Sequence, residues 1–511
     1  MVWNPKSDYS TPRSQFIKWE LVPYTRGRGL DVGCGAIKPF PHFIGIDVKE
    51  FQAGGMTIKP DMNMDATDLS IFASQSLDFV FSSHALQWIE DYKKALREAW
   101  RVLKPWGHLV LYMPDRRLYE YPKKEGQVLP HLFTPDDMIE AMKELKGWNL
   151  IVNDQHAEED EYSFFQVYFK TKNEKHQFAY REPKPEKTAC VVRYGAFGDL
   201  MQTSPIIAGL KAEGYHVTLQ SSPPGLDVVR FDPNIDHLQV QDKDQVPNVE
   251  LGQYWAWCKK KYTKFVNLSS SVEGALLAEH DRMMPQWPHE ARHALLDHNY
   301  VEHAHRIAGL KTRYPVKFHA NEAEKTWAKK TRAGLGDPVI LWSLAGSAVH
   351  KTWPYLDQII ARVLLTFPNA SIVLCGGPES EMLEAGWENE KRVVRTCGKW
   401  NIRQSLAFLA EADLVIGPET GVLNASADMD VEKIIFLSHS SVENLTRDWK
   451  NCTSLTPKNT PCYPCHILHQ GWEFCHKDEE KGVAKCQSDI DADECWEHVN
   501  RILNEKMLKA A

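Results

Sequence analysis

The chain has 511 residues, 43% of them hydrophobic and 25% charged, with a formal net charge of −8. That is too long for one hydrophobic core and points to roughly two to four domains, while the acidity argues against a dedicated nucleic-acid binder. No apolar run reaches the roughly eighteen residues of a membrane-spanning helix. The N-terminal MVWNPKSDYSTPRSQF also lacks the basic-then-apolar layout of a secretory leader, so a cytoplasmic protein without a transmembrane segment is expected.

Strand-like runs alternate with helical stretches over most of the chain, the pattern of α/β layers on parallel sheets. In the first part, strands are predicted at Gly29–Val32, Phe43–Val48, Leu77–Ser82 and Gly107–Met113. A helix is predicted at Ala95–Leu103, stopped by Lys104-Pro105. Another is predicted at Pro135–Lys146, with Thr134 as N-cap and proline at the first helical position. From Lys170 to Lys187 the chain turns charged and proline-bearing with no apolar period, which is linker composition. A second part opens at Thr188 with a strand, a glycine turn and a helix. Further strands are predicted at Val217–Gln220, Phe265–Leu268, Val339–Ser343, Ser371–Cys375, Leu414–Ile416 and Lys433–Phe436. A histidine-rich helical stretch, about Glu290–Leu310, divides this part near residue 318. The expected domains are therefore 1–170, a linker 171–187, then 188–318 and 319–511, the last with a cysteine-rich segment at 452–495.

LDVGCG, Leu30–Gly35, ends one strand, and the next, FIGIDV, ends in an acid at Asp47. Glycines let backbone approach a ligand, and such an acid accepts hydrogen bonds from ribose hydroxyls. MDATDL, LDFVFSSHALQWIED and ALREAWRVLKPWGHLVLYMPD follow. This order resembles class I S-adenosylmethionine-dependent methyltransferases of the type 11 group over about residues 25–170. The resemblance implies a Rossmann-like domain with Gly33 and Gly35 at the methionine end of the cofactor. It also implies Asp47 on the ribose, Asp65 and Ala66 at the adenine, and Ser82 to His84 at the mouth of the reaction pocket. Only AIKPFPHF separates the glycine turn from the acidic strand, where the family places a helix. A proline inside a helix costs roughly 3 kcal/mol, so Pro39 and Pro41 argue for an extended crossover. Eight extended residues reach roughly 27 Å, enough to return along a strand of about 17–20 Å. Parallel pairing is then retained, and cofactor binding is expected to lean on bare backbone amides. His84 is a candidate general base for methyl transfer to a hydroxyl, because histidine titrates near neutrality. The competing reading is a histidine packed beside the strand end. His131 either sits over the same pocket or is a loop residue ahead of the helix cap.

VVRYGAFGDLMQTSPIIAGLKAEG is a strand, a glycine turn holding Asp199, and a helix. LWSLAGSAVHKTWP, IVLCGGPESE and DLVIGPETGVLNASA follow in that order. Together these segments resemble glycosyltransferase family 9, the lipopolysaccharide heptosyltransferases, over about residues 188–500. The resemblance implies a GT-B fold of two Rossmann-like domains, acceptor side first and donor side second. A nucleotide-sugar diphosphate needs fixed positive charge and hydrogen-bond donors, which Lys351 and Ser347 supply without a metal. Glu379 or Glu381 is placed to hold the ribose, and Thr420 and Gly421 offer close backbone approach to phosphate. Asp199 is the expected base that takes a proton from the acceptor hydroxyl; the alternative is a helix N-cap. The family's usual Asp-Thr-Gly followed by histidine is here Glu419-Thr420-Gly421 followed by Asn424, which leaves donor identity open.

Cys462 and Cys465 form a C-x2-C knuckle, with Cys475 and Cys486 close behind. Four thiolates so spaced suit a structural zinc or iron. Unligated thiols and disulfides are the alternatives, and His466, His469 and His476 are possible substitute ligands. Cys452 and Cys495 lie outside the knuckle.

The expectation is a bifunctional glycan-modifying enzyme. One part moves a heptose-like sugar from an ADP-heptose-like donor to a small-molecule or glycan acceptor; the other transfers methyl from S-adenosylmethionine. Rival readings are an inactive methyltransferase-like binding module, a nucleic-acid or protein acceptor, and a non-enzymatic assembly protein built on a homo-oligomer.

Overall fold

The computed structural model describes residues 13–35, 37–48, 50–53, 56–118, 129–157, 161–173, 175, 177–178, 185–243, 245–270, 288–467 and 471–510. The chain forms two compact units: Met1–Pro185 with Gln241–Trp257, and Glu186–Val240 with Cys258–Ala511. About half of the expected linker, including 179–184, lies outside the described residues.

The first unit carries β1 (Gly29–Val32), β2 (Phe43–Asp47), β3 (Phe51–Ala53), β4 (Met56–Ile58), β5 (Met62–Asn63), β6 (Leu77–Ser83), β7 (Leu103–Pro114), β8 (Trp148–His156), β9 (Ser163–Lys170) and β10 (Gln177–Phe178). Eight of them form one sheet in the order β10-β8-β9-β7-β6-β1-β2-β5, with β3 and β4 as a separate hairpin. From β5 to β7 the pairing is parallel; β9 runs antiparallel to both β7 and β8. Every residue of β1 is buried, as a central parallel strand covered on both faces requires. Leu30, Val80 and Leu109 pack there against Trp100, Met138 and Trp148.

No helix lies between β1 and β2 among the described residues, and the two strands still pair in parallel from Gly29 opposite Phe43. Lys38 fastens this crossover. Its Nζ donates to Asp61 Oδ2 at 2.6 Å and to the Phe43 carbonyl at 2.8 Å. Asp61 Oδ2 in turn accepts from the Gly45 N–H at 2.6 Å.

Three sequence expectations shift. The helix ends at Val102, and β7 starts at once instead of after a Lys104-Pro105 break. The register against β6 jumps between Leu77 and Phe79, so the Lys104–Gly107 stretch bulges out, with Trp106 at φ +73°. The helix after Thr134 stops at Met142, short of Lys146, although the predicted cap is present: Thr134 Oγ1 accepts from Asp137 N. Finally, Gln241–Trp257 joins the first unit rather than the 188–318 segment. Arg26 Nε donates to Asp242 at 2.6 Å, Gln245 Nε2 to the Val22 carbonyl at 2.7 Å, and Lys18 pairs with Glu250 at 2.7 Å.

The second unit carries two all-parallel sheets. The first orders as β13-β12-β11-β14, from β11 (Thr188–Arg193), β12 (His216–Ser221), β13 (His237–Val240) and β14 (Lys264–Asn267). The second orders as β17-β16-β15-β18-β19-β20, from β15 (Val339–Ser343), β16 (Ser371–Cys375), β17 (Val393–Arg395), β18 (Leu414–Pro418), β19 (Glu432–Phe436) and β20 (Cys452–Leu455). This is the mixed α/β architecture with parallel sheets read from the sequence. One continuous apolar core takes Val191, Ile207 and Leu219 from the first half and Leu341, Val415 and Leu423 from the second. The predicted helix at Glu290–Leu310 is two helices, His289–Leu296 and Tyr300–Ala308; Asn299 caps the second by accepting from Glu302 N. The last helix, Ala492–Ala510, packs Cys495, Val499 and Leu503 into the core around the second of these sheets.

Trp353 links that core to the loop ahead of the C-terminal helix. Its ring lies 4.5 Å from Phe436, centroid to centroid, and its Nε1 donates to the Ile490 carbonyl at 3.1 Å. Trp353→Ala is therefore expected to cost about 3–5 kcal/mol, measured by denaturant unfolding.

Candidate functional site

A cleft with a cavity volume of about 1070 Å³ opens in the second unit, lined from both sheets. Asp199, Ser347, Lys351, Glu379, Thr420 and Gly421 all face it. Glu381, the other ribose candidate, is not among the lining residues; its carboxylate sits against Gly398 instead. The two glutamates stand two residues apart on the short helix Pro378–Glu384, less than one turn, so they point to different sides and only the first lines the cleft.

The first wall is the turn after β11. Asp199 is the third residue of helix Phe197–Ala212, with Ala196 at the cap position, so the N-cap alternative is displaced by one turn. Its Oδ2 accepts from the Ala196 N–H at 2.7 Å and its Oδ1 from Arg193 Nη2 at 2.7 Å. Arg193 is fully buried and also donates to the Leu268 carbonyl at 2.9 Å. The carboxylate is thereby fixed in orientation at the cleft mouth, with lone pairs left to accept from a hydroxyl.

The second wall is built from strand ends. Lys351 folds over Gly346, whose lack of a side chain makes room for it: a Cβ there would meet Lys351 Cδ at 2.5 Å. Lys351 has no ion pair among the described residues, although its charge acts on Glu419. Thr420 caps helix Gly421–Ser426, and its Oγ1 lies 3.0 Å from Ser343 Oγ.

Glu419 lines the cleft, but its carboxylate is taken up by partners in the protein. Oε1 accepts from the N–H groups of Ser438 (2.8 Å) and Ser440 (3.2 Å), and His439 Nδ1 lies against Oε2. Burial works against its ionisation, but His439, Lys351 and the Ser438 N–H outweigh it and hold the carboxyl well below the usual range. Asn424 is likewise structural. Its Nδ2 donates to the Thr420 carbonyl at 2.9 Å, and its Oδ1 accepts from Gln202 Nε2 across the cleft floor. Glu419, His439 and Asn424 face the cleft as well, and sequence spacing singled out no role for His439.

In the first unit, Gly33 and Gly35 both take left-handed backbone, at φ +71° and +61°. A Cβ on Gly33 would meet Ala85 Cβ at 2.3 Å, whereas nothing lies within 4 Å of one on Gly35. The N–H groups of Gly33 and Cys34 are spent on the Ile46 carbonyl, at 2.9 and 3.3 Å. Reliance on these bare amides for the cofactor is thus corrected: two of them already belong to the β1–β2 joint. Asp47 ends β2 with Oδ1 accepting from Val48 N, and Asp65 Oδ1 accepts from Thr67 N beside buried Ala66. Asp31, unnoticed in the sequence, is buried at the end of β1. Burial pushes its carboxyl up to about 8; Lys38 draws it down, and Asp47 and Asp61 push it further up.

His84 also departs from expectation. It sits at φ +50° with Nε2 held 2.8 Å from Ser163 Oγ, between Tyr112 and Tyr162. Burial and then Arg13 push its pKa down to about 3. Such an imidazole stays neutral and is too weak a base to take a hydroxyl proton, so the packed reading replaces the general base. His131 Nε2 lies 2.8 Å from the Glu90 carbonyl and its ring stacks on Phe133, as a loop residue would.

Cys462, Cys465, Cys475 and Cys486 act on one another. Burial pushes Cys465 up to about 12 and Cys475 up to about 11, and neighbouring thiols of the set add to each shift. Cys486 is raised by burial and by the other three. Cys452 lies on β20 and Cys495 in the C-terminal helix. His469 lies outside the described residues, and His476 is exposed.

Residues 30–111 match the Methyltransferase domain family, and residues 258–468 match Glycosyltransferase family 9 (heptosyltransferase). The chain therefore joins a region matching a methyltransferase domain family to one matching glycosyltransferase family 9. An uncharacterised protein of Methanocaldococcus jannaschii is 30% identical over 138 residues, 24% of this chain and 66% of that protein. Trans-aconitate 2-methyltransferase of Variovorax paradoxus is 25% identical over 133 residues, 22% of this chain and 51% of that enzyme. The chain thus spans about two thirds and about half of the length of these relatives. A solved glycosyltransferase family 9 structure from Veillonella parvula is 16% identical, covering 64% of this chain and 100% of its own, with a TM-score of 0.48.

Glu419 yields a test by its linkage to pH. A carboxyl held below its unfolded value contributes stability that is complete above about pH 4.3 and is lost as pH falls through the folded value. Glu419→Gln is expected to lose about 1.5–3 kcal/mol at pH 7, the size of a hydrogen bond to a charged group. Urea unfolding of both proteins should show that gap intact at pH 5 and narrowing only below pH 4.3.

Proposed function

We propose that the second unit transfers a heptose-like sugar from an ADP-heptose-like nucleotide donor to a hydroxyl of a small-molecule or glycan acceptor. The transfer is inverting and needs no metal at the reacting centre. One observation carries the reading: a carboxylate, a lysine without an ion pair among the described residues, and a glycine-hydroxyl strand end face a single cleft. In this reading Asp199 accepts the proton from the acceptor hydroxyl as its oxygen attacks the anomeric carbon. The nucleoside diphosphate leaves with its charge met by Lys351, the Ser347 hydroxyl and the backbone at Thr420 and Gly421. Glu379 takes the ribose hydroxyls. The heptosyl description of the matched family supports the sugar class.

The first unit, in the same reading, binds S-adenosylmethionine along Gly33, Gly35, Asp47, Asp65 and Ala66, and methylates the sugar, its acceptor or a related intermediate. Covalent joining raises the local concentration of one product at the next site, which favours steps of one pathway. The four cysteines hold a structural zinc or iron. The C-x2-C spacing of Cys462 and Cys465 with two further thiols close behind supports this, and four protein ligands leave no open position.

Asp199→Asn is expected to lower turnover about 10²–10⁴-fold with the donor KM little changed. Lys351→Ala should instead raise the donor KM. Both are read by nucleoside diphosphate release, and wild-type turnover in Asp199→Asn overturns the assigned base. Separately, calorimetry on the full chain should detect S-adenosylmethionine binding that Asp47→Ala weakens at least tenfold. No heat with the wild-type chain would reduce the first unit to a non-catalytic module.

A further inference from the structure

A second group of candidate ligands lies on the rim of the transfer cleft, apart from the four thiols. His293 and Asp297 sit one turn apart at the end of helix His289–Leu296, and His466 comes from the loop that follows the cysteine knuckle. One ligand atom from each of the three lies within 4.8 Å of the other two. His466 Nε2 is 2.9 Å from Asp297 Oδ1, and His293 Nδ1 is 3.1 Å from the same oxygen. The two imidazoles meet edge to face at 5.0 Å.

The placement is firm on both sides. His466 is buried, and its N–H donates to the His439 carbonyl at 2.9 Å. Arg292 Nε donates to the Cys465 carbonyl at 3.3 Å, which ties the helix to the same loop. One further atom is unexplained by hydrogen bonding: His293 Nε2 is buried with no partner among the described residues. Buried polar atoms are almost always satisfied, by protein, water or an ion.

We propose that His293, Asp297 and His466 form a second divalent-metal site, for a borderline transition-metal ion such as Zn²⁺ or Fe²⁺. Two imidazoles and one carboxylate suit these ions, and the same donors are too nitrogen-rich for Mg²⁺ or Ca²⁺. Three protein ligands leave coordination open for a water or a ligand oxygen, unlike a closed four-thiolate site. His466 itself lines the cleft, so an ion held there lies beside the space assigned to donor and acceptor. The inference does not depend on the sugar, the acceptor or metal binding by the cysteines.

Cobalt(II) separates the two sites in the full-length, metal-stripped chain. Thiolate ligation gives intense sulfur-to-cobalt charge-transfer absorption in the near ultraviolet; histidine and carboxylate ligation gives only weak visible d–d bands. A cobalt equivalent without charge-transfer absorption is expected in the wild-type chain and in Cys462→Ser/Cys465→Ser. It should be lost, with at least a hundredfold weaker binding, in Asp297→Asn and in His293→Ala. Unchanged binding of that equivalent in both rim variants overturns the proposal. So does a wild-type chain whose bound cobalt all shows thiolate charge transfer, which would leave His293, Asp297 and His466 a hydrogen-bonded cluster only. Native circular dichroism and melting of the variants keep loss of metal apart from loss of fold.

Discussion

The cleft of the second unit depends on how closely two helix starts approach. A Cβ on Gly421 would meet Phe197 Cβ at 2.7 Å, and a Cβ on Gly198 would meet Asn424 Nδ2 at 2.8 Å. A side chain at Gly421 would push on Phe197 at its Cβ, which moves only with the backbone, and one at Gly198 would displace the Asn424 amide. Helices Phe197–Ala212 and Gly421–Ser426 come from different sheets, and this contact sets Asp199 and Thr420 on facing walls of one cavity. The apolar core continues beneath it without a break. Asn424 completes the joint by bonding Thr420 on its own helix and Gln202 on the other. An amide can donate and accept at once with no change of charge, which suits a buried bridge better than a titrating imidazole.

In the first unit the governing constraint is the missing crossover helix. The sheet keeps its parallel order because Lys38, Asp61 and the Gly45 N–H stitch the short connection to β2. That solution concentrates charge under the glycine turn. Asp31, Asp47 and Asp61 surround one lysine, and the most buried of them, Asp31, is raised toward neutrality. The backbone amides at Gly33 and Cys34 serve the same joint. Gly35 stays outside this joint, with nothing within 4 Å of a Cβ placed on it.

Much of this was legible in the residues. Val339–Ser343 and Ser371–Cys375 are continuous apolar runs between turn residues, and their limits as strands match the expectation. The Thr134 cap and the left-handed glycines at 33 and 35 follow from local chemistry alone. What escaped is non-local. Nothing in Gln241–Trp257 announces that Asp242 and Gln245 find Arg26 and Val22, more than two hundred residues earlier. His84 looks like a base in any window of sequence; only Ser163, brought up from β9, and the tyrosines around it make it a neutral, packed ring. Glu379 and Glu381 were equivalent by spacing, and the turn of the backbone after β16 chose between them.

Glu419 shows how such non-local contacts turn a family motif to another use. The carboxylate at this point of the strand end reaches the loop after β19 on its longer arm and accepts two of that loop's N–H groups. The loop carries His439, whose carbonyl accepts from His466, the residue after the cysteine knuckle. A chain of direct contacts thus runs from the cleft wall at Thr420 through Glu419 and His439 to the cysteine-bearing loop. Buried charge without such partners is costly, and the partners fix the geometry they require. The position of the loop that follows Cys462 and Cys465 therefore bears on His439, and through it on Glu419 at the cleft.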